Sequence, residues 1–275
     1  MWLIGVLSLM ILVGVLVGFI SRSRTSPTLA ADWDLESLSG AYAAIVAPLA
    51  GFSVAAAVFF ANLTRVTQTV FFDDVMALFL VAFVMLISTA VMFATFRSAR
   101  LRSSADENQQ SIHRSLYMVC NLGFYLSLSM SWIGLHPLLL AVGLSTLADI
   151  FTWVLLFALL AGAIRVSVWA HVLLGVGFPA FLSIPIVPML AAIVYGLTVR
   201  SRLAFWPTTN PALLLAVLVF AVAAVGYGFE TAMIIFYGRP EYHRRLRRIA
   251  SMLIIPYLSA GITIIALLWF ATAFA

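Results

Sequence analysis

The sequence predicts an all-α polytopic membrane helix bundle: about eight transmembrane helices with short loops, forming a single integral membrane domain over residues 1–275. Three observations predict it. Apolar residues make up 64% of the 275, about 176, where a globular protein has roughly 45–50%. Charged residues make up 9%, against about 25% ordinarily, too few to cover the surface of a soluble domain. The charges also fall mostly between long apolar runs. Together these exclude a cytosolic enzyme, a secreted module and a disordered chain. At roughly 20 residues per span, the apolar residues allow at most eight or nine helices.

The runs are about 1–20, 41–63, 75–96, 115–140, 146–165, 171–199, 212–237 and 250–274. In hydrocarbon every backbone polar group must be satisfied internally, so each run is expected to be helical. Met1 to Ile20 carry no charge; a secretory signal needs a positive start, so this segment reads as a retained first span. The second run has small residues at Ala47, Gly51 and Ala55, a packing signal. Asp73 and Asp74 open the third, as interface residues at the positive end of the helix dipole. From Ser115 to Val199 the chain is apolar except at His136–Pro137, Asp149, Arg165 and His171. Three helices fit that length, with Arg165 in a very short loop.

The arginines set the orientation. The chain has no lysine, so all fifteen basic residues are arginine, and the net charge is +5. Numbering the loops in order, the odd ones hold twelve arginines: Arg22 and Arg24; Arg97, Arg100, Arg102 and Arg114; Arg165; Arg239, Arg244, Arg245, Arg247 and Arg248. The even ones hold three, Arg65, Arg200 and Arg202. Cytoplasmic loops collect arginine, so both termini are expected outside. The arginine-for-lysine bias hints at a GC-rich bacterial source, hence a cytoplasmic (inner) membrane. The arginine-rich third and seventh loops sit in matching places of two four-helix halves. A parallel repeat of the transporter kind would give this pattern, and so would the positive-inside rule alone. The lone Cys120 cannot form an internal disulfide, and no zinc-type Cys/His spacing is present.

Several positions are candidates for function. Glu230 lies about seven residues from the inner end of its span, roughly 10 Å deep at 1.5 Å per residue. Burial and the negative end of the dipole both weigh against its charged form there. Ala216, Ala223 and Gly226 share its helical face, which points it toward the bundle. It reads as a proton or cation site, or as a structural tie to Arg165. Asp149 follows Thr146 in the [ST]-x-x-[DE] helix-start pattern, with Thr146 as cap and Asp149 in the first turn; a polar lining with Ser145 and Thr152 is the alternative. In the fourth run Tyr117, Asn121, Tyr125, Ser129, Trp132 and His136 fall within about 120° of one another. Such a stripe lines a hydrated cavity or supplies hydrogen bonds between helices. Pro179, Pro185 and Pro188 in the sixth run would break a helix as in a transporter site, or be tolerated kinks. His113, His171 and His243 fall near the inner face without metal-ligand spacing. Arg244, Arg245, Arg247 and Arg248 read as an anionic-headgroup patch or a topology signal.

No acyltransferase, prenyltransferase, HExxH, GxSxG, P-loop, GxGxxG or potassium-filter motif is present. The expected function is therefore a transporter or channel for a small solute or ion, resting on Glu230, the stripe with Asn121, Tyr125 and His136, and Asp149. The alternative is a non-catalytic membrane scaffold or accessory subunit of a larger complex. No cofactor or metal is expected. The expected partners are the bilayer, anionic headgroups at the inner face, and a membrane protein or second copy; nucleic acid is not among them.

Overall fold

The computed structural model describes residues 35–62, 72–98, 107–174, 211–237 and 240–273. Among the described residues the chain is helical apart from one turn, and contains no strand. Six helices result: α1 Leu35–Asn62, α2 Phe72–Ser98, α3 Glu107–Ala141, α4 Ser145–Leu174, α5 Pro211–Tyr237 and α6 Pro240–Ala273. The first four are long and apolar enough to cross a membrane. The expected span 1–20, and 171–199 beyond Leu174 with its three prolines, lie outside the described residues.

The helices alternate in direction. Tyr42 of α1 stacks on Phe93 of α2, and Phe93 meets Tyr117 of α3 edge-on. At the far end Phe60 joins Phe79, and Phe79 lies against Gly134. Early residues of α1 and α3 thus sit level with late residues of α2. Tyr117 also contacts Trp169, late in α4. Val119 and Tyr257 meet at Gly226, and Leu122 lies against Gly261, so α6 runs parallel to α3. The bundle is organised around α3, which packs against all five other helices. In its apolar window 83% of residues are buried, against 28% in those of α1 and α4.

The link between α3 and α4 shows how local chemistry sets this up. Gly143 has φ +86°, a conformation that glycine adopts at no steric cost. The Leu144 N–H donates to the Leu139 carbonyl at 2.9 Å and the Gly143 N–H to the Leu140 carbonyl at 3.0 Å. These are the paired bonds of a Schellman motif, which satisfy carbonyls that the helix end leaves open. The turn feeds directly into α4, whose first bond runs from the Ala148 N–H to the Leu144 carbonyl.

Four expectations are corrected here. Thr146 does not cap α4: the tight turn starts the helix at Ser145, so Thr146 is its second residue and Asp149 lies beyond the first turn. There is no loop at Arg165, because α4 runs unbroken to Leu174; arginine is a good helix former and nothing nearby breaks the helix. The seventh loop is far shorter than 238–249. Pro240, preorganised for a first helical position, begins α6, so Arg244, Arg245, Arg247 and Arg248 are helical. Finally, Ala47, Gly51 and Ala55 are exposed among the described residues, while the packed face of α1 is Val46, Ala50, Ser53, Ala57 and Phe60.

Candidate functional site

The polar stripe of α3 turns inward. Tyr117, Asn121, Tyr125, Ser129 and His136 are buried and Trp132 is half-buried. Asn121 Nδ2 donates to the Tyr117 carbonyl of its own helix at 3.0 Å. The Tyr125 hydroxyl donates across the interface to the Leu159 carbonyl of α4 at 3.1 Å. Its ring lies over Gly162, where a Cβ would collide with it; glycine is what lets the ring approach the α4 backbone. Beside the stripe, Ser127 donates to the Gly123 carbonyl and Ser131 to the Ser127 carbonyl at 3.2 Å. The Ser131 hydroxyl also meets that of Ser53 on α1 at 2.8 Å. On the other flank of α2, the Tyr227 hydroxyl of α5 donates to the Met85 carbonyl at 3.1 Å and lies 3.3 Å from Thr89 Oγ1. These hydroxyls and amides tie helices together or bond their own backbone, as polar groups in apolar surroundings require.

At the end of the bundle where α3 begins and α4 finishes, an aromatic corner forms. Tyr42 stacks on Phe93 with centroids 5.2 Å apart and meets Tyr117 and Phe124 edge-on. Trp169 closes it from α4, 5.3 Å from Tyr117. The Arg165 guanidinium sits over the Tyr42 ring, 5.1 Å from its centroid. A cation over a tyrosine face is attracted by the ring quadrupole, by about 0.5–1 kcal/mol at an exposed site and about 2 kcal/mol where water is excluded. Arg165 is itself exposed, on a flank of α4 otherwise lined by Phe157, Ala161, Ile164 and Val168.

A third feature lies between α5 and α6. An apolar cleft of about 240 Å³ is bounded by Val225 and Phe229 on α5 and by Leu253, Pro256 and Tyr257 on α6, with Val119 of α3 among its lining. Gly226 has no side chain, and the Tyr257 hydroxyl occupies the place where one would be. Pro256 lies inside α6 and removes the hydrogen bond to the Met252 carbonyl one turn back. Val225 is 66% and Leu253 54% exposed, so the cleft opens sideways.

The candidates from sequence do not converge on one centre. Asn121, Tyr125 and His136 share a face of α3 but are strung along it. Asp149 is exposed near the start of α4, about 24 Å along the axis from Arg165. Glu230 lies in α5 on the register of Val219, Ala223 and Gly226, all buried; its side chain lies outside the described residues. Glu230 and Arg165 stand on α5 and α4, which do not pack on each other among the described helices; α4 packs there on α3 and α6. Of the four arginines in α6, Arg245 is exposed, and the other three side chains lie outside the described residues. Sequence reading missed Tyr42, Phe93, Phe124 and Trp169. Their signal was aromatic residues near one end of successive spans, the usual place for interfacial rings. It also missed the cleft, of which Gly226 alone was singled out. Compared with protein-family models, with characterised proteins and with solved structures, the chain matches none.

Proposed function

We propose that the chain is a multi-pass integral membrane protein of about eight spans in a bacterial inner membrane, with its arginine-rich helix ends cytoplasmic and both termini outside, and that it acts as a non-catalytic scaffold or accessory subunit. One observation supports the scaffold reading above transport. The least apolar of the four helices long enough to span a membrane, α3, is a buried hub whose Asn121, Tyr125 and Ser131 are engaged in hydrogen bonds with helix backbones or a neighbouring hydroxyl. A conduit needs such groups turned toward water or a passing solute. Transport is the second reading, favoured by the register of Glu230 beside Phe229, which lines the cleft.

One experiment decides between them. Proteoliposomes holding the full chain are assayed for proton, potassium and chloride flux under imposed gradients. The scaffold reading expects the leak of empty vesicles. Flux that the wild-type chain supports and Glu230→Gln abolishes, in a variant that still inserts and melts normally, overturns it in favour of transport. Orientation is tested separately with single cysteines in a Cys120→Ala background. An impermeant thiol reagent added outside should label Thr209→Cys and spare Arg102→Cys and Arg247→Cys.

A further inference from the structure

The cleft and the arginine-bearing start of α6 belong to one helix face. At 100° per residue, Arg245, Ile249, Leu253, Pro256 and Ala260 fall within an arc of about 80°. Arg245, Ile249 and Leu253 are all exposed along it. From Arg245 the face descends about 12 Å to Leu253 and about 22 Å to Ala260 at 1.5 Å per residue. A polar headgroup layer is about 5–7 Å deep and half of a hydrocarbon core about 15 Å. A cation at Arg245, at headgroup level, therefore stands above a cleft that lies alongside the deeper part of one leaflet's acyl chains. The cleft is open at its side through Val225 and Leu253, and its lining is apolar except for the Tyr257 hydroxyl.

We propose that this face is a binding site for one anionic phospholipid of the cytoplasmic leaflet, its phosphate held by Arg245 and an acyl chain seated in the cleft between α5 and α6. This rests on the membrane reading above and deepens it. The geometry favours a lipid over a free anion because the charge lies in line with an apolar groove. It favours an anionic lipid over a zwitterionic one because Arg244, Arg247 and Arg248 lie within the same two turns and no lysine or arginine follows them in α6. The groove also gives the chain a cause to be retained: Val119, Ile254 and Tyr257 form a fixed wall, and bulk lipid offers none.

The test uses the full-length chain in nanodiscs of phosphatidylglycerol and phosphatidylcholine. Either lipid carries a photoactivatable group midway along an acyl chain, and crosslinked peptides are mapped by mass spectrometry. The expected result is crosslinking concentrated on 225–229 and 253–260 and favouring phosphatidylglycerol. Arg245→Gln should cut that preference about fivefold, the value of one surface arginine against anionic lipid. Val225→Trp, which fills the rim of the cleft, should reduce crosslinking there and leave the rest of the surface unchanged. Because both substituted positions are exposed, the melting temperature should not move. Equal labelling by the two lipids, or even labelling around the whole bundle, overturns the site while leaving the membrane reading intact. So does a cleft that stays unlabelled because another part of the chain occupies it. A chain that fails to enter the nanodiscs at all overturns the membrane reading instead.

Discussion

Helices α3 and α4 follow one another through a three-residue turn, yet they live in opposite surroundings. Helix α3 is the less apolar of the two and is almost wholly enclosed, while α4 is strongly apolar and mostly open. In water that assignment would be upside down, because burial there is driven by removing apolar surface from solvent. With lipid as solvent it is the expected one. On the membrane reading, lipid tails would solvate Leu147, Ile150, Trp153 and Phe157 as well as a neighbouring helix would. Serine, asparagine and tyrosine in α3 find better partners inside. The same rule assigns the polar stripe to packing: hydrogen-bonding groups are collected where backbones pass closely.

The largest expected effect breaks this contrast directly. Tyr117 is fully buried on α3 and touches rings from α1, α2 and α4, whereas Phe157 of α4 is 69% exposed. Tyr117→Ala removes a ring that three helices share and should cost about 4 kcal/mol. Phe157→Ala should cost less than about 1 kcal/mol in a bilayer, because lipid replaces the lost contacts. Unfolding in mixed micelles measures both. Similar losses at the two positions would mean that Phe157 is covered, and that α4 is an interior helix in the whole protein.

A second contrast lies within α4 itself. Gly162 receives the Tyr125 ring, and its neighbour Ala161 faces outward. Replacing glycine inside a helix normally gains up to about 1 kcal/mol of helix propensity. At Gly162 the Tyr125 ring must move, which also loosens its bond to the Leu159 carbonyl, and overpacking of this kind costs about 1–3 kcal/mol. Gly162→Leu should therefore be destabilising on balance, by about 2 kcal/mol. Ala161→Leu should be neutral within about 0.5 kcal/mol. A neutral Gly162→Leu would show that α3 and α4 do not meet as closely as Tyr125 and Gly162 require.

How much of this was legible in the sequence follows from the range of each signal. Apolar runs mark helices because length and composition are local, and each of the six described helices overlaps an expected run, although α4 continues through the expected loop at Arg165 and α6 begins ten residues early. Asn121, Tyr125 and His136 are buried, and so is almost every other side of α3, which a one-sided stripe did not foretell. What failed was anything that depended on a neighbour. Arg165 looked like a loop because a lone cation in an apolar run has no local explanation; its partner is Tyr42, more than a hundred residues away. The small row Ala47, Gly51 and Ala55 looked like a contact, yet α1 packs through Val46, Ala50 and Ser53 instead. Thr146 lost the cap because Gly143 had already set the turn. Periodicity tells which residues share a face, and only the fold tells what that face meets.

The smallest expected effect bears most closely on function. Ser53 and Ser131 join α1 to α3 through their hydroxyls, 2.8 Å apart, and both are buried. Ser131 also donates to its own helix at the Ser127 carbonyl, so it accepts from Ser53 in the arrangement that satisfies both. Hydrogen bonds between membrane helices average about 0.6 kcal/mol, and each serine-to-alanine change alone should cost about that much. The double-mutant cycle is more telling than either single change, because it isolates the contact. If the hydroxyls bond each other in a dry interface, Ser53→Ala with Ser131→Ala should cost no more than one of them alone, leaving a coupling of about 0.5–1 kcal/mol. If water reaches this face of α3, it satisfies whichever hydroxyl remains, and the coupling falls to zero. A dry result places α3 among packing helices and supports the scaffold. A wet one reopens the stripe from Asn121 to His136 as the lining of a path, and ties the outcome of the flux assay to a specific face of the bundle.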